Sequence, residues 1–458
     1  MIDMSAFAGT PVAVLGLGRS GTAAARALLA GGCDVRAWDD NAETRARSAA
    51  AGIPLADPLA SGLDGVRTMV LSPGIPHGHP HSHPAVGRAR AAGCEIVADM
   101  DLLGRTQVAA RYVGITGTNG KSTTTALIGH VLNAAGLPVQ VGGNLGPPAL
   151  ELAPLGADGV YVLEMSSYQL ELVPTLTFDI AVLLNIGIDH LDRHGGFDGY
   201  VAAKRGIFDG QDGDDTAIVG MDDDSCRVIA EALAGSGAAT VVPISGHTAV
   251  AGGVYVLDGA LIDATAEPTG RRVFDLGRAV ALPGEHNAQN AAAAYAAARA
   301  VGIATTDVCA SLATFPGLAH RQEHIAEVRG VIYVNDSKAT NPEAAAKALQ
   351  CYDAVYWIAG GRPKDAELDP LLPYLSRVRH AFLIGEAEDP FAAALDGHVP
   401  LTRCGTLDRA FDAARRMAEA DGGNAVVLLS PACASFDQFA NFEARGEAFR
   451  ALVEGLPR

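Results

Sequence analysis

The strongest constraint on the fold is a glycine-rich loop that joins a strand-like run to a helix-like segment. The run covers 112–116, the loop and helix start read Gly-Thr-Asn-Gly-Lys-Ser-Thr-Thr over 117–124, and a helical pattern continues over 126–135. In such a loop, backbone N–H groups bind phosphates, the lysine reaches the outer phosphates and the hydroxyl can bind Mg²⁺. The segment predicts an α/β domain that binds a nucleoside triphosphate, although Ile115 occupies a position that is glycine in the strict pattern. The residues expected at the phosphates are Gly117, Thr118, Asn119, Gly120, Lys121, Ser122 and Thr123.

Two further strands of this central segment end in polar residues. The run 160–163 is followed by Glu164, and the run 180–184 is followed by Asn185 and then His190. Because the carboxyl ends of parallel strands meet at one edge of a sheet, these side chains are expected near the phosphates. Glu164 is interpreted as a metal-binding acid, with a surface glutamate as the alternative.

A second α/β pattern precedes the central segment. Its strand-like runs and the residues after them are 12–15 with Gly16 to Gly21, 35–38 with Asp39, and 68–71 with Ser72 to Gly74. This layout is typical of a Rossmann-like unit, whose glycine turn admits a pyrophosphate and whose acid binds a ribose hydroxyl. Any nucleotide diphosphate satisfies such a turn, so a nicotinamide dehydrogenase stays open at this point.

A third α/β pattern follows a hinge at Pro316-Gly317-Leu318. Its strand-like runs are 331–334, 354–358, 381–384 and 425–429, and polar or glycine-rich segments follow at 335–341, 360–364 and 430–439. We therefore predict an α/β fold of three domains. These are an N-terminal Rossmann-like domain (1–100), a central P-loop mononucleotide-binding domain (101–317) and a C-terminal Rossmann-like, doubly wound sheet (318–458).

Composition narrows the class of protein. A length of 458 residues allows two to four domains at roughly 100 to 200 residues each. The net charge of −18 argues against nucleic acid or an anionic membrane as partner. Seven scattered cysteines without a Cys-x-x-Cys pair fit reduced thiols. With no long apolar segment and no signal-like start, we expect a cytoplasmic protein, and we expect a monomer.

Nine motifs occur in an order that resembles the Mur ligases of peptidoglycan synthesis. They are GTNGKST, EMSSYQLE, NIGIDHLDRH, AAKRGIF, GEHNAQNAAAA, HRQE, NDSKATNP, GG-x-x-K and LLSPACASFDQFANFEARG. The resemblance covers essentially the whole chain, and the last motif and the SPGI loop are most similar to the branch that adds D-glutamate. The resemblance implies that ATP phosphorylates the carboxylate of UDP-MurNAc-L-Ala. The amine of D-glutamate then attacks the acyl phosphate.

The resemblance also implies roles for individual residues. Catalytic roles fall on Lys121, His190 and a carbamylated Lys204, and two Mg²⁺ ions are implied with Ser122, Glu164, His190 and Lys204 as their ligands. Further ATP contacts are Asn287, Arg321, Asp336 and Lys338. The UDP-substrate contacts are Gly18, Arg19, Ser20, Asp39, Gly74, Asn144 and His190. The D-glutamate contacts are Thr340, Lys364, Ser435, Phe436 and Phe442, with Phe436 standing where leucine is frequent.

Several of these assignments have plainer alternatives. On sequence alone, Lys204 is interpreted as a solvated lysine on a helix. Asn287 could cap a helix, and Arg321 could be a surface arginine. Asp336 and Lys338 could pair only with each other. The histidines at 77, 79, 81 and 83 could form a metal tract, but their prolines and glycine favour a solvent loop. The acidic clusters 212–215 and 222–224 are predicted as solvated turns. A dehydrogenase, a non-catalytic nucleotide-binding module and a folylpolyglutamate-type ligase are the alternative functions.

Overall fold

The chain folds into two compact units, seen in a computed structural model that describes residues 1–60, 63–363, 368–422 and 425–457. Unit 1 comprises Met1–Gly277 and Glu285–Ala313, and unit 2 comprises Arg278–Gly284 and Thr314–Arg458. The described residues form two sheets in unit 1 and one sheet in unit 2. These sheets fall in the three segments predicted to be α/β.

The N-terminal sheet of unit 1 is parallel. Its strands are β1 (Pro11–Leu15), β2 (Asp34–Trp38), β3 (Thr68–Leu71) and β4 (Glu95–Val97), and its helices are α1 (Arg19–Ala30), α2 (Ala42–Ala50), α3 (Pro84–Ala91) and α4 (Asp99–Thr106). The strand order is β2-β1-β3-β4. The chain reverses direction across the sheet beside β1, so the glycine turn after β1 lies at the switch point where such folds bind ligands.

The central sheet of unit 1 is larger and mixed. Its strands are β5 (Arg111–Thr116), β6 (Val139–Gly143), β7 (Val160–Glu164), β8 (Ile180–Leu183), β9 (Thr216–Gly220), β10 (Thr240–Ser245), β11 (Val254–Leu257), β12 (Ala260–Asp263) and β13 (Arg271–Asp275). Its helices are α5 (Lys121–Ala134), α6 (Ser167–Leu170), α7 (Leu191–His194), α8 (Phe197–Arg205), α9 (Asp224–Ser236), α10 (Glu285–Val301) and α11 (Thr305–Thr314). The strand order is β13-β12-β11-β10-β9-β8-β5-β7-β6. The order places β7 and β8 on either side of β5, so the three polar strand ends are neighbours.

The sheet of unit 2 is covered on both faces. Its strands are β14 (Glu323–Val328), β15 (Val331–Asn335), β16 (Val355–Gly360), β17 (Val378–Ile384), β18 (Leu401–Gly405) and β19 (Ala425–Leu429), and its helices are α12 (Pro342–Cys351), α13 (Glu388–Leu395), α14 (Leu407–Ala420) and α15 (Phe442–Glu454). The order is β14-β15-β19-β16-β17-β18. Along β16, Trp357 packs in one apolar cluster and Tyr356 and Ile358 in another, which confirms a doubly wound sheet.

Two antiparallel additions depart from the predicted parallel pattern. Strands β11 to β13 form antiparallel pairs at one edge of the central sheet, and β14 pairs antiparallel with β15. The turn between β11 and β12 is Asp258-Gly259, with φ values of 48° and 73°. Asp-Gly between apolar runs favours such hairpin turns, so the sequence contains a signal for this hairpin.

No helix in the described part of the chain combines the length and apolar character needed to cross a membrane. The seven cysteines are all free thiols, as the sequence predicts.

Candidate active site

The glycine-rich loop connects β5 to α5. Gly117 and Gly120 have φ values of 155° and 84°, in a region that L side chains rarely adopt. A Cβ on Gly120 would also collide with Oδ1 of Asn290, a residue of α10. The loop therefore requires glycine at these positions. It leads into the N-terminus of a 14-residue helix, where unpaired N–H groups favour an anion.

Side chains from neighbouring strands and helices fix this loop. The Asn119 N–H donates to Asn185 Oδ1 at 2.8 Å, and the Gly187 N–H donates to Thr118 Oγ1 at 2.9 Å. Thr124 Oγ1 donates to Asn290 Oδ1 at 3.2 Å. No sequence signal singles out Asn290, beyond its place in a His-Asn-x-x-Asn segment at the start of α10.

Lys121 and Lys204 both approach the carbonyl of Gly117. Lys121 Nζ donates to Gly117 O at 2.8 Å and to Thr118 O at 2.9 Å. Lys204 Nζ donates to Gly117 O at 2.8 Å from α8. Lys204 is only 1% exposed, so the solvated-lysine alternative is wrong. Burial, followed by the charge of Lys121, lowers the pKa of Lys204 to about 7.

Glu164 ends β7 with one oxygen bound and one oxygen unpaired. Asn144 Nδ2 donates to Glu164 Oε1 at 2.6 Å, while Glu164 Oε2 is buried without a hydrogen-bond partner. The residue is 2% exposed, so the surface-glutamate alternative is wrong. An unpaired buried carboxylate oxygen is costly, and it is the type of ligand that Mg²⁺ prefers. This oxygen fits the implied metal. Within the described ranges, no three His, Cys, Asp or Glu side chains gather as a complete metal site.

His190 lies where β8 leads into the short helix α7. It has a φ of 50°, an uncommon value for a residue other than glycine, and its side chain is half exposed. Its ring lies 5.2 Å from the ring of Tyr168. On the same helix, Arg193 Nη1 donates to the carbonyl of Gly74 at 3.1 Å. The contact brings the Ser72-Pro-Gly74 loop to the helix that follows His190.

The N-terminal glycine turn has the geometry of a nucleotide-binding turn. Gly16 has a φ of 87°, and a Cβ on Gly21 would collide with the carbonyl of Gly16. Gly18 caps α1 and has open space around its Cα, so a phosphate can approach the backbone there. Asp39 Oδ2 accepts a 2.7 Å hydrogen bond from the Leu17 N–H. Asp39 therefore also fixes the turn, a role beyond the predicted ribose contact.

Two arginines lie beside this turn. Arg19 Nη2 donates to the Gly146 carbonyl at 2.7 Å, in the loop that also carries Asn144. Ser20 is half-buried next to it. Arg45 of α2 donates to the Asp39 carbonyl at 2.7 Å, and its guanidinium lies 4.5 Å from the centre of the Trp38 ring. The loop that follows β2 contains no arginine of its own, and Arg45 contacts this loop from α2.

Asn287 is a buried residue of α10. It is the third residue of this helix, so the helix-cap alternative is wrong, because a capping side chain precedes the first helical residue. Its Oδ1 accepts a 3.0 Å hydrogen bond from Asn290 Nδ2.

Unit 2 holds Asp336 in a buried position after β15. Its Oδ1 accepts from the Gln322 N–H at 3.1 Å, and its Oδ2 accepts from Ser430 Oγ at 2.7 Å. An exclusive pair with Lys338 is therefore wrong. Burial raises the pKa of Asp336 to about 7. The Lys338 N–H donates to the His320 carbonyl at 2.9 Å, next to the half-buried Arg321.

The candidate D-glutamate residues follow neighbouring strands of unit 2. Because β15, β19 and β16 are adjacent, the loops at their carboxyl ends lie side by side. Ser435 is 2% exposed and its Oγ has no hydrogen-bond partner. Thr340 and Phe442 are half-buried, whereas Phe436 is 62% exposed. Lys364 lies outside the described residues.

Two predictions about polar loops need revision. His77 Nε2 lies 3.3 Å from Glu171 Oε2, and His83 Nε2 lies 2.9 Å from Asp40 Oδ2, so the histidine loop is partly docked. Asp222 accepts from the Gly246 N–H, and Asp223 caps α9. For these two acids the solvated-turn prediction is wrong, because their carboxylates satisfy backbone N–H groups.

Comparisons with known proteins identify the family. The profile of the Mur ligase middle domain matches residues 115–298, and that of the Mur ligase glutamate ligase domain matches residues 320–433. The UDP-N-acetylmuramoylalanine–D-glutamate ligase of Paramagnetospirillum magneticum is 53% identical over 100% of this chain and 99% of its own length. The same ligase from Caulobacter sp. strain K31 is 51% identical, over 100% and 98%. The chain belongs to this family of Mur ligases.

Membership decides between the alternative functions. A Mur ligase is an ATP-dependent, amide-forming enzyme that generally uses Mg²⁺, so the dehydrogenase and the non-catalytic module are excluded. A solved UDP-N-acetylmuramoyl-L-alanyl-D-glutamate–2,6-diaminopimelate ligase shares the fold. It has a TM-score of 0.59 at 18% identity and covers 100% of this chain and 95% of its own. This confirms the three-domain α/β architecture.

Proposed function

We propose that this ligase joins D-glutamate to UDP-N-acetylmuramoyl-L-alanine and converts ATP to ADP and phosphate. The observation that carries the proposal is the unpaired, buried Glu164 Oε2, in the same sheet edge as a lysine-containing phosphate loop. The full-length relatives that carry this activity in their names support the choice of substrates.

The reaction has two balanced steps. A carboxylate oxygen of the L-alanine end bonds to the γ-phosphorus while the bond to the ADP oxygen breaks. The neutral amine of D-glutamate then bonds to the acyl carbon, phosphate leaves and the nitrogen loses a proton. Gly117 to Thr123 bind the phosphates, and Lys121 exchanges its contacts with Gly117 O and Thr118 O for phosphate oxygens. No protein nucleophile is required, because the phosphoryl group already supplies the leaving group.

Two Mg²⁺ ions are assigned to this edge of the sheet. Ser122 and Glu164 would hold the first, and His190 and a carbamylated Lys204 would hold the second. Bound there, the ions would supply positive charge for the phosphates and the acceptor carboxylate. Carbamylation adds CO₂ to the neutral amine with loss of one proton, and the low exposure of Lys204 supports a neutral amine. The modified Nζ retains one N–H, which can still donate to Gly117 O.

The remaining ATP contacts are assigned to Asn287, Arg321, Asp336 and Lys338. The UDP-substrate is assigned to residues that surround the glycine turn and the helix after β8. These are Gly18, Arg19, Ser20, Asp39, Gly74, Asn144 and His190. We assign three domains, a UDP-substrate-binding domain (1–100), an ATP-binding domain (101–317) and an amino-acid-binding domain (318–458), although some contacts to UDP and ATP come from the domain that follows. The enzyme acts as a monomer in the cytoplasm.

D-glutamate is assigned to Thr340, Lys364 and Ser435, with Phe436 and Phe442 as apolar walls. The unpaired Ser435 Oγ supports this pocket, since a buried hydroxyl without a partner is expected to bind a ligand. Two carboxylates require placed cations and hydroxyls, and the attacking amine requires that no carboxylate hold it as an ammonium.

Phosphate release tests the proposed reaction directly. With ATP, UDP-MurNAc-L-Ala and D-Glu together, we expect turnover that stops when any one of them is omitted. We expect L-Glu to be a poor acceptor, because inversion of the α-carbon moves the amine while both carboxylates stay bound. Release from ATP alone, or saturable binding of NADH, would contradict the reaction. Efficient ligation of stereochemically pure L-Glu would contradict only the acceptor assignment.

A further inference from the structure

Arg445 is a buried cation at the start of α15. It is 1% exposed and is the fourth residue of the helix. Asn441 caps the helix by accepting a 2.7 Å hydrogen bond from the Ala444 N–H. The cap fixes the first turn, so the position from which the Arg445 side chain departs is set by local structure.

The guanidinium contacts oxygen atoms from three loops. Nε donates to Ser337 Oγ at 3.0 Å. Nη2 donates to the carbonyls of Ser337 and Cys433 at 2.9 and 3.0 Å. Nη1 lies 3.4 Å from the carbonyl of Ala434 and 3.5 Å from that of Gly360. A guanidinium has five N–H donors, and here five acceptors are available to them.

Each contacted loop carries a residue assigned above to D-glutamate. The contacted residue and the assigned residue of each loop are Ser337 with Thr340, Ala434 with Ser435, and Gly360 with Lys364. Ser337 Oγ also donates to the carbonyl of Phe442 at 2.8 Å, so the first residue of α15 joins the same network. One side chain thus connects the loops that carry Thr340 and Ser435 with the first residue of α15.

The loop after β16 fits closely around the guanidinium. Gly361 has a φ of 133°, and a Cβ there would lie 3.0 Å from Arg445 Nη1 and collide with the carbonyl of Ala434. The Arg362 N–H donates to this carbonyl at 2.8 Å, and the Ala434 N–H donates to the Arg362 carbonyl at 3.1 Å. These two loops are therefore joined directly by a pair of backbone hydrogen bonds, and the guanidinium packs against both of them.

The charge of Arg445 is compensated by dipoles. Its five acceptors are four carbonyls and one hydroxyl, and none of them is a carboxylate. Burial of a cation has a desolvation cost that an apolar residue of similar volume avoids. Its multiple oriented bonds offset that cost, and lysine has only three donors from one nitrogen.

We propose that Arg445 is a positioning residue for the amino-acid acceptor. It fixes the spacing of the loops after β15 and β19 so that Thr340 and Ser435 can bind D-glutamate together. This inference rests on the D-glutamate pocket of the proposed function, and it adds the residue that assembles that pocket.

The effect should fall on D-glutamate more than on ATP. Asp336, which is assigned to ATP, is bound by the Gln322 N–H and by Ser430 Oγ, and Arg445 contacts neither group. The loops of Thr340 and Ser435 are also held by backbone hydrogen bonds, from the Thr340 N–H to the Lys338 carbonyl and from the Phe439 N–H to the Ser435 carbonyl, and Arg445 contacts both loops. Ser435 Oγ has no partner at all in the described structure.

Steady-state kinetics of Arg445→Lys test the proposal in the full-length enzyme. Lysine keeps the charge but reaches fewer acceptors, so the KM for D-Glu should rise roughly tenfold or more, while the KM for ATP changes by less than about threefold. Phe449→Leu is the matched control. Phe449 lies one helical turn further along α15, in the apolar cluster with Phe411, and should lower the melting temperature without separating the two KM values.

Parallel or absent changes in the two KM values for Arg445→Lys would overturn the proposal. If that variant does not fold, Ser337→Ala decides, since it removes one bonded acceptor and should raise the KM for D-Glu selectively by a few-fold. An unchanged KM for D-Glu in Ser337→Ala would then overturn it. Lys364→Ala distinguishes failure of the proposed function from failure of this inference. If Lys364→Ala leaves the KM for D-Glu unchanged, the assignment of the D-glutamate pocket is wrong. If Lys364→Ala raises that KM but Arg445→Lys does not, only the positioning role of Arg445 is wrong.

Discussion

Lys204 in unit 1 and Arg445 in unit 2 are both buried cations, but their chemistry differs. The Lys204 amine has one close acceptor, Gly117 O, and a hydroxyl at 3.5 Å, and burial lowers its pKa to about 7. Arg445 has five acceptors, and its pKa, lowered by burial to about 10, still leaves it charged at neutral pH. A buried amine can lose its proton and react, whereas a guanidinium remains a fixed charge. Lys204 is thus suited to covalent modification, and Arg445 is suited to holding loops at a fixed spacing.

The largest effect is expected when Lys204 is replaced by arginine, the residue type found at the second site. Lys204→Arg should lower kcat by on the order of 10³, because a guanidinium cannot become a carbamate and repels Mg²⁺. The measurement is phosphate release with all three substrates. Lys204→Ala should regain part of its activity with added acetate, which replaces the missing carboxylate.

Lys347→Arg is the control, because Lys347 is the one lysine of five in the sequence to which we assign no role. If Lys204→Arg turns over at the wild-type rate, the proposed chemical difference between Lys204 and Arg445 is wrong. A carbamate signal in ¹³C NMR after incubation with labelled bicarbonate, absent in Lys204→Ala, checks the modification independently of activity.

The phosphate loop offers the next largest effect. Lys121→Ala should lower the rate by about 10² to 10³, as expected for the loss of one donor to developing charge. The KM for D-Glu should remain unchanged within about twofold, since Lys121 lies in the phosphate loop, where it donates to Gly117 O and Thr118 O, and no residue assigned to D-glutamate belongs to that loop. Full activity in this variant would contradict the assignment of the loop to ATP.

A smaller and more selective effect is expected in unit 2. Lys364→Ala should raise the KM for D-Glu far more than that for ATP, by roughly 1.5 to 3 kcal/mol for a lost charge-assisted hydrogen bond. Equal increases in both KM values would place Lys364 at the nucleotide. Combined with Arg445→Lys, the effects should be less than additive, because both act on one pocket.

The smallest effect concerns pH in unit 2, where Asp336 and not Arg445 titrates near neutrality. The folded pKa of Asp336 is raised from 3.8 to about 7. Between these values the folded state holds a proton that the unfolded state has lost, so this group makes stability fall as pH rises from about 4 to 7. Asp336→Asn should flatten that slope in thermal unfolding at pH 5 and pH 7.5. An identical slope in both proteins would show that another group is responsible.

The sequence predicts the parts of the molecule whose signals are local. The Gly117 to Thr124 loop, the turn at Gly16 and the strand ends at Glu164, Asn335 and Gly360 follow from apolar runs that meet glycine or polar residues. Four of the five lysines were assigned to sites by motif, and the structure adds that one of them, Lys204, is buried. Its burial involves a contact with Gly117, which is 87 residues away in the sequence, and no local pattern reveals such a contact.

The supporting contacts were missed because they join distant segments. Asn290 contacts Thr124 across a sequence separation of 166, and Arg445 contacts Ser337 across 108. Arg445 stands in a motif, but a motif does not show which backbone carbonyls a side chain binds. The antiparallel strands β11 to β13 were missed for another reason, because their Asp258-Gly259 turn lies in a segment without a ligand signature.

The separation of 108 residues between Arg445 and Ser337 also sets an order of events during biosynthesis. At about 5 to 20 residues per second, a ribosome needs roughly 5 to 20 s to proceed from the loop after β15 to the first turn of α15. During that interval the nascent loop lacks the side chain that later holds it. Because closure of such long-range contacts is slow, we expect the amino-acid pocket to mature late in folding, after the local strand-loop-helix of the phosphate site.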